Sequence, residues 1–305
     1  MMAPAQDVRE ECVREMDAKR GFGTTWLREA FLAVPREHFV PDRVWWPDPG
    51  PDGRCPLLDR TRKPRAWLKA VYLPGVPLIT QIDDGAVPPD GPASGAWTSS
   101  ISSPGVVIEM LRHLALGPGD RVLEIGTGTG YNTALLAHRT GTGRLTSIEI
   151  DPEVADRART ALHGLGLHPR LRCGDGEDGH TGDAPYDRVL ATASVRRVPY
   201  AWIQQLRPGG VLLLPLDSPF GHDLLVRLTA DGEGRAQGRP VARVEFMRTR
   251  GQRGGSASYT ELGWPEGLDP EQWEDLRIEV GVDGQCVTVA DRTAGAAAVP
   301  APPGP

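Results

Sequence analysis

Cysteines are few in this sequence, and the residue spacings that build a metal site or a disulfide framework are missing from it. Cys12, Cys55, Cys173 and Cys286 form no C-x-x-C pair, and the seven histidines form no H-x-x-H pair. Zinc sites need ligands at short, regular intervals, so we expect no bound metal. Scattered cysteines are typical of reduced thiols in a cytosolic protein.

Long apolar runs are also lacking. No apolar segment is long enough to span a bilayer, and residues 1–16 (MMAPAQDVREECVREM) do not contain the apolar core of a signal peptide. We therefore expect a cytoplasmic protein with no membrane partner.

The sequence has no excess of positive charge. It contains 34 Lys and Arg against 40 Asp and Glu, which gives a formal net charge of -6 and a pI near 5.7. This balance argues against nucleic acid as the main partner. The 305 residues are enough for one large domain or for a domain with an appendage.

Among the features that are present, residues 121–131 (RVLEIGTGTGY) are the most informative. Four residues of strand character lead into a glycine-rich turn, and good helix formers follow directly. Strand, glycine turn and helix form the first unit of a nucleotide-binding βαβ fold. The spacing is G-x-G-x-G, whereas dinucleotide enzymes favour G-x-G-x-x-G, so a pyrophosphate is not the expected ligand.

Glu149 is the predicted partner of this turn. It ends a second short strand, residues 144–149, and lies nineteen residues after Gly130. A carboxylate at that position can accept hydrogen bonds from two ribose hydroxyls. Asp175 and Thr192 follow two later strands. In open α/β sheets, ligands bind at the carboxyl ends of the strands, where all of these residues are expected.

The remaining pattern predicts an α/β fold with a mostly parallel, doubly wound sheet. We expect four regions: helices and substrate-facing loops at 1–104, a nucleotide-binding core at 105–250, an extension at 251–290 and a disordered Ala/Pro/Gly-rich tail at 291–305. Residues 7–34 are predicted to form two helices, and 45–64 and 83–96 to form loops. A hairpin is expected around Asp283-Gly284.

A hydroxyl-rich run, residues 97–104 (WTSSISSP), precedes a helix predicted from residue 105 to about 116. Ser103 followed by Pro104 is a favoured helix start, so capping explains Ser103. One cap does not need so many hydroxyls, and Ser102 is a candidate to face a ligand.

Residues 8–216 resemble the protein-L-isoaspartate O-methyltransferase family, a branch of the Rossmann-like class I methyltransferases that use S-adenosylmethionine. The resemblance rests on short motifs in a fixed order: VPRE at 34–37, FVP at 39–41, SISSP at 100–104, VLEIGTGTGY at 122–131, IE at 148–149, GDG at 174–176, ATA at 191–193 and QLRPGG at 205–210. It implies S-adenosylmethionine as cofactor, with S-adenosylhomocysteine as its product.

The resemblance also assigns the site residues. Ser102 corresponds to the family's active-site serine, and Ser100 is its expected catalytic neighbour. The substrate is expected to contact Ser99, Ile101, Ser103 and Val195. The cofactor is expected to contact Glu124, Gly126, Thr127, Gly128, Gly130, Tyr131, Asn132, Glu149, Ile150, Asp175, Gly176 and Thr192.

The chain departs from the repair enzymes in a longer lead-in to Ser102 and in about ninety residues after Leu216. Residues 79–83 (ITQID) and 195–200 (VRRVPY) resemble relatives encoded with graspetide, lasso-peptide and lanthipeptide pathways. Those relatives methylate an Asp side chain of a constrained peptide, and the ester then closes to an aspartimide. We therefore expect a monomer that acts on a cyclised precursor peptide with its leader.

Two alternatives remain open at this point. The first is a general isoaspartyl repair methyltransferase. The second is a protein of another class, either a cofactor-binding module without catalysis or a nicotinamide enzyme. The G-x-G-x-G spacing argues against the nicotinamide enzyme, and the presence of both Glu149 and Ser102 argues against an inactive module.

Overall fold

The computed structural model describes residues 5–19 and 21–290. Within these ranges the helices are α1 (Ala5–Lys19), α2 (Thr25–Ala33), α3 (Pro64–Val71), α4 (Pro104–Leu114), α5 (Tyr131–Thr140), α6 (Pro152–Gly164) and α7 (Tyr200–Gln204). The strands are β1 (Arg43–Trp45), β2 (Leu57–Asp59), β3 (Leu78–Ile82), β4 (Trp97–Ile101), β5 (Val122–Ile125), β6 (Leu145–Glu149), β7 (Arg170–Cys173), β8 (Tyr186–Ala191), β9 (Leu206–Asp217), β10 (Asp223–Ala230), β11 (Ala236–Val244), β12 (Leu276–Gly281) and β13 (Gly284–Val289).

A nine-stranded sheet forms the centre of the molecule, in the order β13-β12-β11-β10-β9-β8-β5-β6-β7. Parallel pairing joins the five strands β9, β8, β5, β6 and β7. The strands from β9 to β13 pair antiparallel. Residues 211–217 of β9 are buried on both faces, as expected for a nearly continuous apolar strand. The predicted doubly wound α/β architecture is confirmed: the parallel strands form its core, and β10 to β13 extend the sheet on one side.

A second, four-stranded sheet lies in the amino-terminal region, in the order β2-β1-β3-β4. Its residues pack with helices α1, α2 and α3 against the core helix α5. Arg36 joins the two regions, because its buried guanidinium donates to Val71 O at 2.7 Å and to Ser102 O at 2.6 Å and lies 4.9 Å from the ring centre of Tyr131. These contacts fix the junction between β4 and α4 beside the first turn of α5.

The carboxy-terminal strands extend the main sheet. The hairpin β12–β13 pairs with β11, and its inward side chains share a core with β9 and β10. The Gln285 side chain accepts from Val198 N and donates to Arg196 O, both at 2.9 Å. The predicted extension 251–290 is therefore continuous with the main core, although its first part is a non-repetitive segment.

Three local predictions differ from the structure. Residues 64–71 form α3, a helix that was not expected from the sequence. The hydroxyl-rich run forms β4, which pairs with β3. The predicted loop 45–64 contains β2, which pairs with β1. The predicted helices in 7–34 and the hairpin at Asp283-Gly284 are confirmed, and the tail 291–305 lies outside the described residues.

In the described part of the chain, no helix is long and apolar enough to cross a membrane. The same residues contain no group of three or more His, Cys, Asp or Glu side chains that could hold a metal ion. All four cysteines are free, Cys12 and Cys55 in the interior and Cys173 and Cys286 at the surface.

Candidate active site

The glycine turn after β5 forms the floor of a cleft at the carboxyl ends of the parallel strands. Gly126 and Gly128 have φ values of +92° and +55°, in the left-handed region that glycine adopts without strain. A Cβ on Gly126 would lie 2.5 Å from Thr192 Oγ1. That hydroxyl donates to Gly126 O at 2.6 Å, so Thr192 fixes the turn from β8 as well as lining the cleft.

Glu124 lies beneath the turn and does not reach the cleft. Its fully buried carboxylate accepts from Asn132 Nδ2 at 2.7 Å, Thr133 Oγ1 at 2.5 Å and Ser147 Oγ at 2.6 Å. Burial raises its pKa to about 7, although these hydrogen bonds oppose the shift. A direct contact between Glu124 and the cofactor was expected from the sequence. In the structure Glu124 instead holds the turn in place.

Glu149 ends β6 and lines the cleft. Its two carboxylate oxygens accept from Gly128 N at 2.8 Å and from Asp151 N at 3.1 Å. Burial raises its pKa, and these two N–H groups act in the opposite direction. Each oxygen of a carboxylate accepts more than one hydrogen bond, so Glu149 can also receive two neighbouring hydroxyls of a ribose.

The turn after β7 lies beside Glu149. Asp175 is exposed, and its carboxylate accepts from Glu177 N at 3.0 Å. Gly176 packs so closely that an added Cβ would lie 2.5 Å from Ile125 Cγ2, and its carbonyl accepts from Trp202 Nε1 at 2.8 Å. The polar turn and the apolar Ile125 together line this part of the cleft.

Strand β4 forms the opposite wall. Ser99, Ser100 and Ser102 line the cleft. The Ser99 hydroxyl accepts from Thr80 Oγ1 at 2.9 Å. The hydroxyls of Ser100 and Ser102 have no hydrogen-bond partner among the described residues, so both are available to a ligand. The Ser102 position is fixed through its carbonyl by Arg36.

The roof of the cleft is residues 246–253, which we call the roof segment, and the sequence reasoning missed it. Its backbone forms two hydrogen bonds with the backbone of Ser194. Ser194 N donates to Met247 O and Thr249 N donates to Ser194 O, both at 2.8 Å. Arg248, Arg250 and Arg253 line the cleft. Several arginines directly after a strand were the available signal, but the predicted boundary between the core and the extension, at residues 250 and 251, divided this segment.

Ion pairs connect the roof segment to the loop between β3 and β4. Asp84 lies 2.9 Å from Arg250 Nη2, and its two oxygens lie 2.9 and 2.8 Å from Arg253 Nη1. Arg250 also lies 3.2 Å from Asp151 Oδ2. The chain segments at 84 and 250–253 thus meet above the cleft, and we refer to these contacts as the strap.

Most of the predicted site residues line this one cleft. The predicted residues that line it are Ser99, Ser100, Ile101, Ser102, Gly126, Thr127, Gly128, Tyr131, Asn132, Glu149, Ile150, Asp175, Gly176 and Thr192. Tyr131 contributes only part of its surface, because its ring packs against Phe31, Phe39 and Arg36 in the interior.

Besides Glu124, three predicted residues do not line the cleft. Gly130 packs against α6, where an added Cβ would lie 3.4 Å from Ala158 Cβ. Ser103 caps α4, with Val106 N donating to its hydroxyl at 3.4 Å. Val195, a predicted substrate contact, is fully buried and bridges to Leu216. Its side chain belongs to the core, because the backbone there continues the sheet.

The fold and the cleft define the class of the protein. A parallel sheet with a glycine turn at β5 and a carboxylate at the tip of β6 is the Rossmann-like fold of class I S-adenosylmethionine-dependent methyltransferases. Structure comparison agrees. The chain is similar to a solved protein-L-isoaspartate O-methyltransferase with a TM-score of 0.66 at 20% identity, over 93% of this chain and 100% of the other. A putative enzyme of that name from Plasmodium falciparum, solved with S-adenosyl-L-homocysteine, gives 0.56 at 14% identity, over 81% and 99%.

Sequence comparison identifies the family. Residues 89–254 match the model of the protein-L-isoaspartate(D-aspartate) O-methyltransferase family. The chain is 34% identical to the Methylorubrum extorquens protein-L-isoaspartate O-methyltransferase over 241 residues, 79% of this chain and 87% of that protein. It is 43% identical to the Methylorubrum populi protein over 168 residues, 54% and 78% of the two chains. The chain belongs to this family and is a protein carboxyl O-methyltransferase.

Proposed function

We propose that the protein methylates the carboxylate of an isoaspartyl residue in a peptide or protein, with S-adenosylmethionine as methyl donor. The observation that carries this proposal is the cleft itself. The glycine turn and Glu149 form one wall, and the unpaired hydroxyls of Ser100 and Ser102 form the other. The named function of the family and of its relatives supports the isoaspartyl substrate.

The residues of the cleft fit the cofactor. We expect Gly126 and Gly128 to leave room for the methionine end, Glu149 to accept from the ribose hydroxyls, and the part of the cleft at Asp175 and Gly176 to hold the adenine. When bound, S-adenosylmethionine supplies an electrophilic methyl group on a positively charged sulfur. Glu149 contributes nearby negative charge and two hydrogen-bond acceptors.

The reaction places few demands on catalytic residues. A peptide carboxylate is ionised at neutral pH, so it needs no general base. The chain has to hold the carboxylate in line with the methyl group, and such positioning accounts for much of the rate of two-reactant reactions. Ser102 and Ser100 can each donate one hydrogen bond to the substrate carboxylate.

The test compares Ser102→Ala with Thr181→Ala, whose hydroxyl is exposed and lies outside the cleft. With an isoaspartyl peptide, Ser102→Ala should lower kcat about tenfold or more and leave cofactor affinity unchanged, as expected for a lost positioning hydrogen bond. Thr181→Ala should behave like the wild type. An unchanged kcat in Ser102→Ala would show that this serine is only structural.

A second candidate substrate is an Asp side chain of a constrained peptide, and the strap favours it. The loop at Asp84 and the roof segment together enclose the cleft, and enclosing walls suit one shaped substrate better than many flexible ones. A macrocycle has already lost much of its chain entropy, so its binding costs less than that of a linear peptide. After methylation, the following backbone nitrogen can attack the ester carbonyl and expel methanol, which gives an aspartimide.

Mass spectrometry separates the two candidates. An isoaspartyl peptide, an Asp-containing macrocyclic peptide and its linear form are each incubated with enzyme and cofactor. Turnover of the isoaspartyl peptide alone supports the first candidate. Selective turnover of the macrocycle, with a product one water lighter than the starting peptide, supports the second. No methylation of any carboxylate peptide contradicts both.

A further inference from the structure

Three arginines stand side by side across the antiparallel part of the main sheet. Arg227 of β10 is directly opposite Arg239 of β11. Gly238 of β11 pairs with Ile278 of β12. Continuing this antiparallel register by one residue brings Arg239 opposite Arg277. Neighbouring strands lie about 4.8 Å apart, and the three side chains therefore form a row across the sheet. We call this row the arginine ladder.

The ladder lines a shallow concavity of about 550 Å³ on one face of the sheet. The other residues of the concavity are mostly polar: His113, Thr229, Gln237, Gly238, Val241, Ile278, Glu279, Cys286 and Thr288. Arg239 and Arg277 are exposed and Arg227 is half-buried. A polyatomic anion could therefore reach all three guanidinium groups from solvent.

The positive charge of the ladder is not balanced locally. Within the described ranges, none of the three arginines forms an ion pair, and the single carboxylate of the concavity, Glu279, lies 3.3 Å from Arg235. Arg227 Nε donates instead to His113 O, and Arg277 Nη1 to Leu276 O, both at 2.9 Å. Like charges directly opposite on neighbouring strands destabilise a sheet. The arrangement costs stability, which is typical of a binding site and not of a structural element.

The ladder lies away from the reaction cleft. His113 is in the last turn of α4, whereas the first residue of α4, Pro104, is two residues after Ser102 of the cleft wall. An eleven-residue helix is roughly 16 Å long. About five extended residues span that distance. One peptide can therefore occupy the ladder with one segment and the cleft with another.

We propose that the arginine ladder is a docking site for an acidic segment of the peptide substrate, about five or more residues from the methylated residue. This inference rests on the proposed peptide substrate. Arginine binds carboxylates through paired hydrogen bonds, and three guanidinium groups match a short run of Asp or Glu. Since the whole chain carries a net charge of -6, a long polyanion such as nucleic acid is repelled outside the ladder. A short acidic segment stays within the concavity, where three arginines outnumber the single carboxylate of Glu279.

The test uses two isoaspartyl peptides that differ only in a tail placed about five residues from the acceptor, either four glutamates or four glutamines. With the wild-type enzyme, the glutamate peptide should have a KM about tenfold lower at equal kcat. This advantage should shrink as salt is raised to about 0.5 M, because exposed charges are screened.

Arg239→Gln is the central variant. It should abolish the KM difference between the two peptides and leave kcat unchanged. Its thermal midpoint should rise by about 1 °C or more, because a like-charge contact is removed. Arg14→Gln serves as the control, since Arg14 is exposed on α1, far along the chain from the ladder. This control should retain the KM difference.

Equal KM values for the two peptides in the wild type, or an unchanged difference in Arg239→Gln, would overturn the docking site. So would a lower thermal midpoint in Arg239→Gln, which would indicate a structural role. If neither peptide is methylated, the proposed substrate is wrong. The docking site is then tested separately, by measuring binding of the labelled glutamate tail to the full chain by fluorescence anisotropy. Binding that disappears in Arg239→Gln supports the ladder, whereas absent binding, or tighter binding of a short DNA duplex, overturns it.

Discussion

At the scale of single residues, Glu149 is the side chain on which cofactor binding should depend most. Glu149→Ala leaves the ribose hydroxyls without a charged acceptor and should weaken binding of S-adenosylmethionine by about 1.5–3 kcal/mol. Calorimetry measures this loss directly. Glu153→Ala, which removes an exposed carboxylate four residues further along the chain, is the control and should bind normally. An undiminished affinity in Glu149→Ala would contradict the role assigned to Glu149.

Glu124 should make the stability of the fold depend on pH. Its pKa is about 7 in the folded state against an ordinary value of 4.5, so the native state favours the protonated form. The stabilisation from this group is complete below about pH 4.5 and is lost as the pH rises towards 7. The side chain in Glu124→Gln cannot ionise, so the thermal midpoint of this variant should change less with pH over that interval. A midpoint with the same pH dependence in wild type and variant would show that another group is responsible.

At the scale of elements, the strap should control how firmly the roof segment is held. Asp84→Asn removes the charge that pairs with Arg250 and Arg253, so amide exchange of residues 246–253 should become faster and cofactor release should accelerate. Although burial acts in the opposite direction, Arg253 and Arg250 lower the pKa of Asp84. The stabilisation from the strap is therefore present above the ordinary Asp value and is lost as the pH falls through the folded value.

Asp42→Asn is the matched control for the strap, because Asp42 forms an exposed ion pair with Arg60 outside the cleft. Hydrogen exchange of the roof segment should be the same in this variant as in the wild type. If Asp84→Asn and Asp42→Asn gave equal exchange rates for residues 246–253, the strap would have no effect on the roof.

The sequence predicted elements well where the signal is local. The glycine turn, the strand ending at Glu149 and the cap of α4 depend on neighbouring residues, and these were predicted correctly. β4 was missed because its serines and threonine resemble a loop, and only pairing with β3 makes them a strand. The strap joins residues that are 166 positions apart in the chain. No periodic pattern in the sequence predicts a contact over such a distance.

At the scale of the whole molecule, the carboxy-terminal hairpin should be needed for the stability of the entire core. Ile278 is 1% exposed and packs with residues of the central sheet. Ile278→Ala should therefore cost about 2–5 kcal/mol and lower the midpoint of a single cooperative transition. Val282→Ala changes a side chain that is 73% exposed and should shift stability by less than about 0.5 kcal/mol. A separate early transition in Ile278→Ala, with the main transition unchanged, would mean that the hairpin unfolds independently.

The two halves of the cleft are far apart in the chain, and this order has a consequence for the newly made protein. The glycine turn leaves the ribosome first, whereas the roof segment follows roughly 120 residues later, which takes about 6–24 s at ordinary rates of synthesis. During that interval the nascent chain has the cofactor wall but no arginines above it. We therefore expect methyl transfer to begin only after the roof segment and the hairpin β12–β13, which completes the core, have left the ribosome.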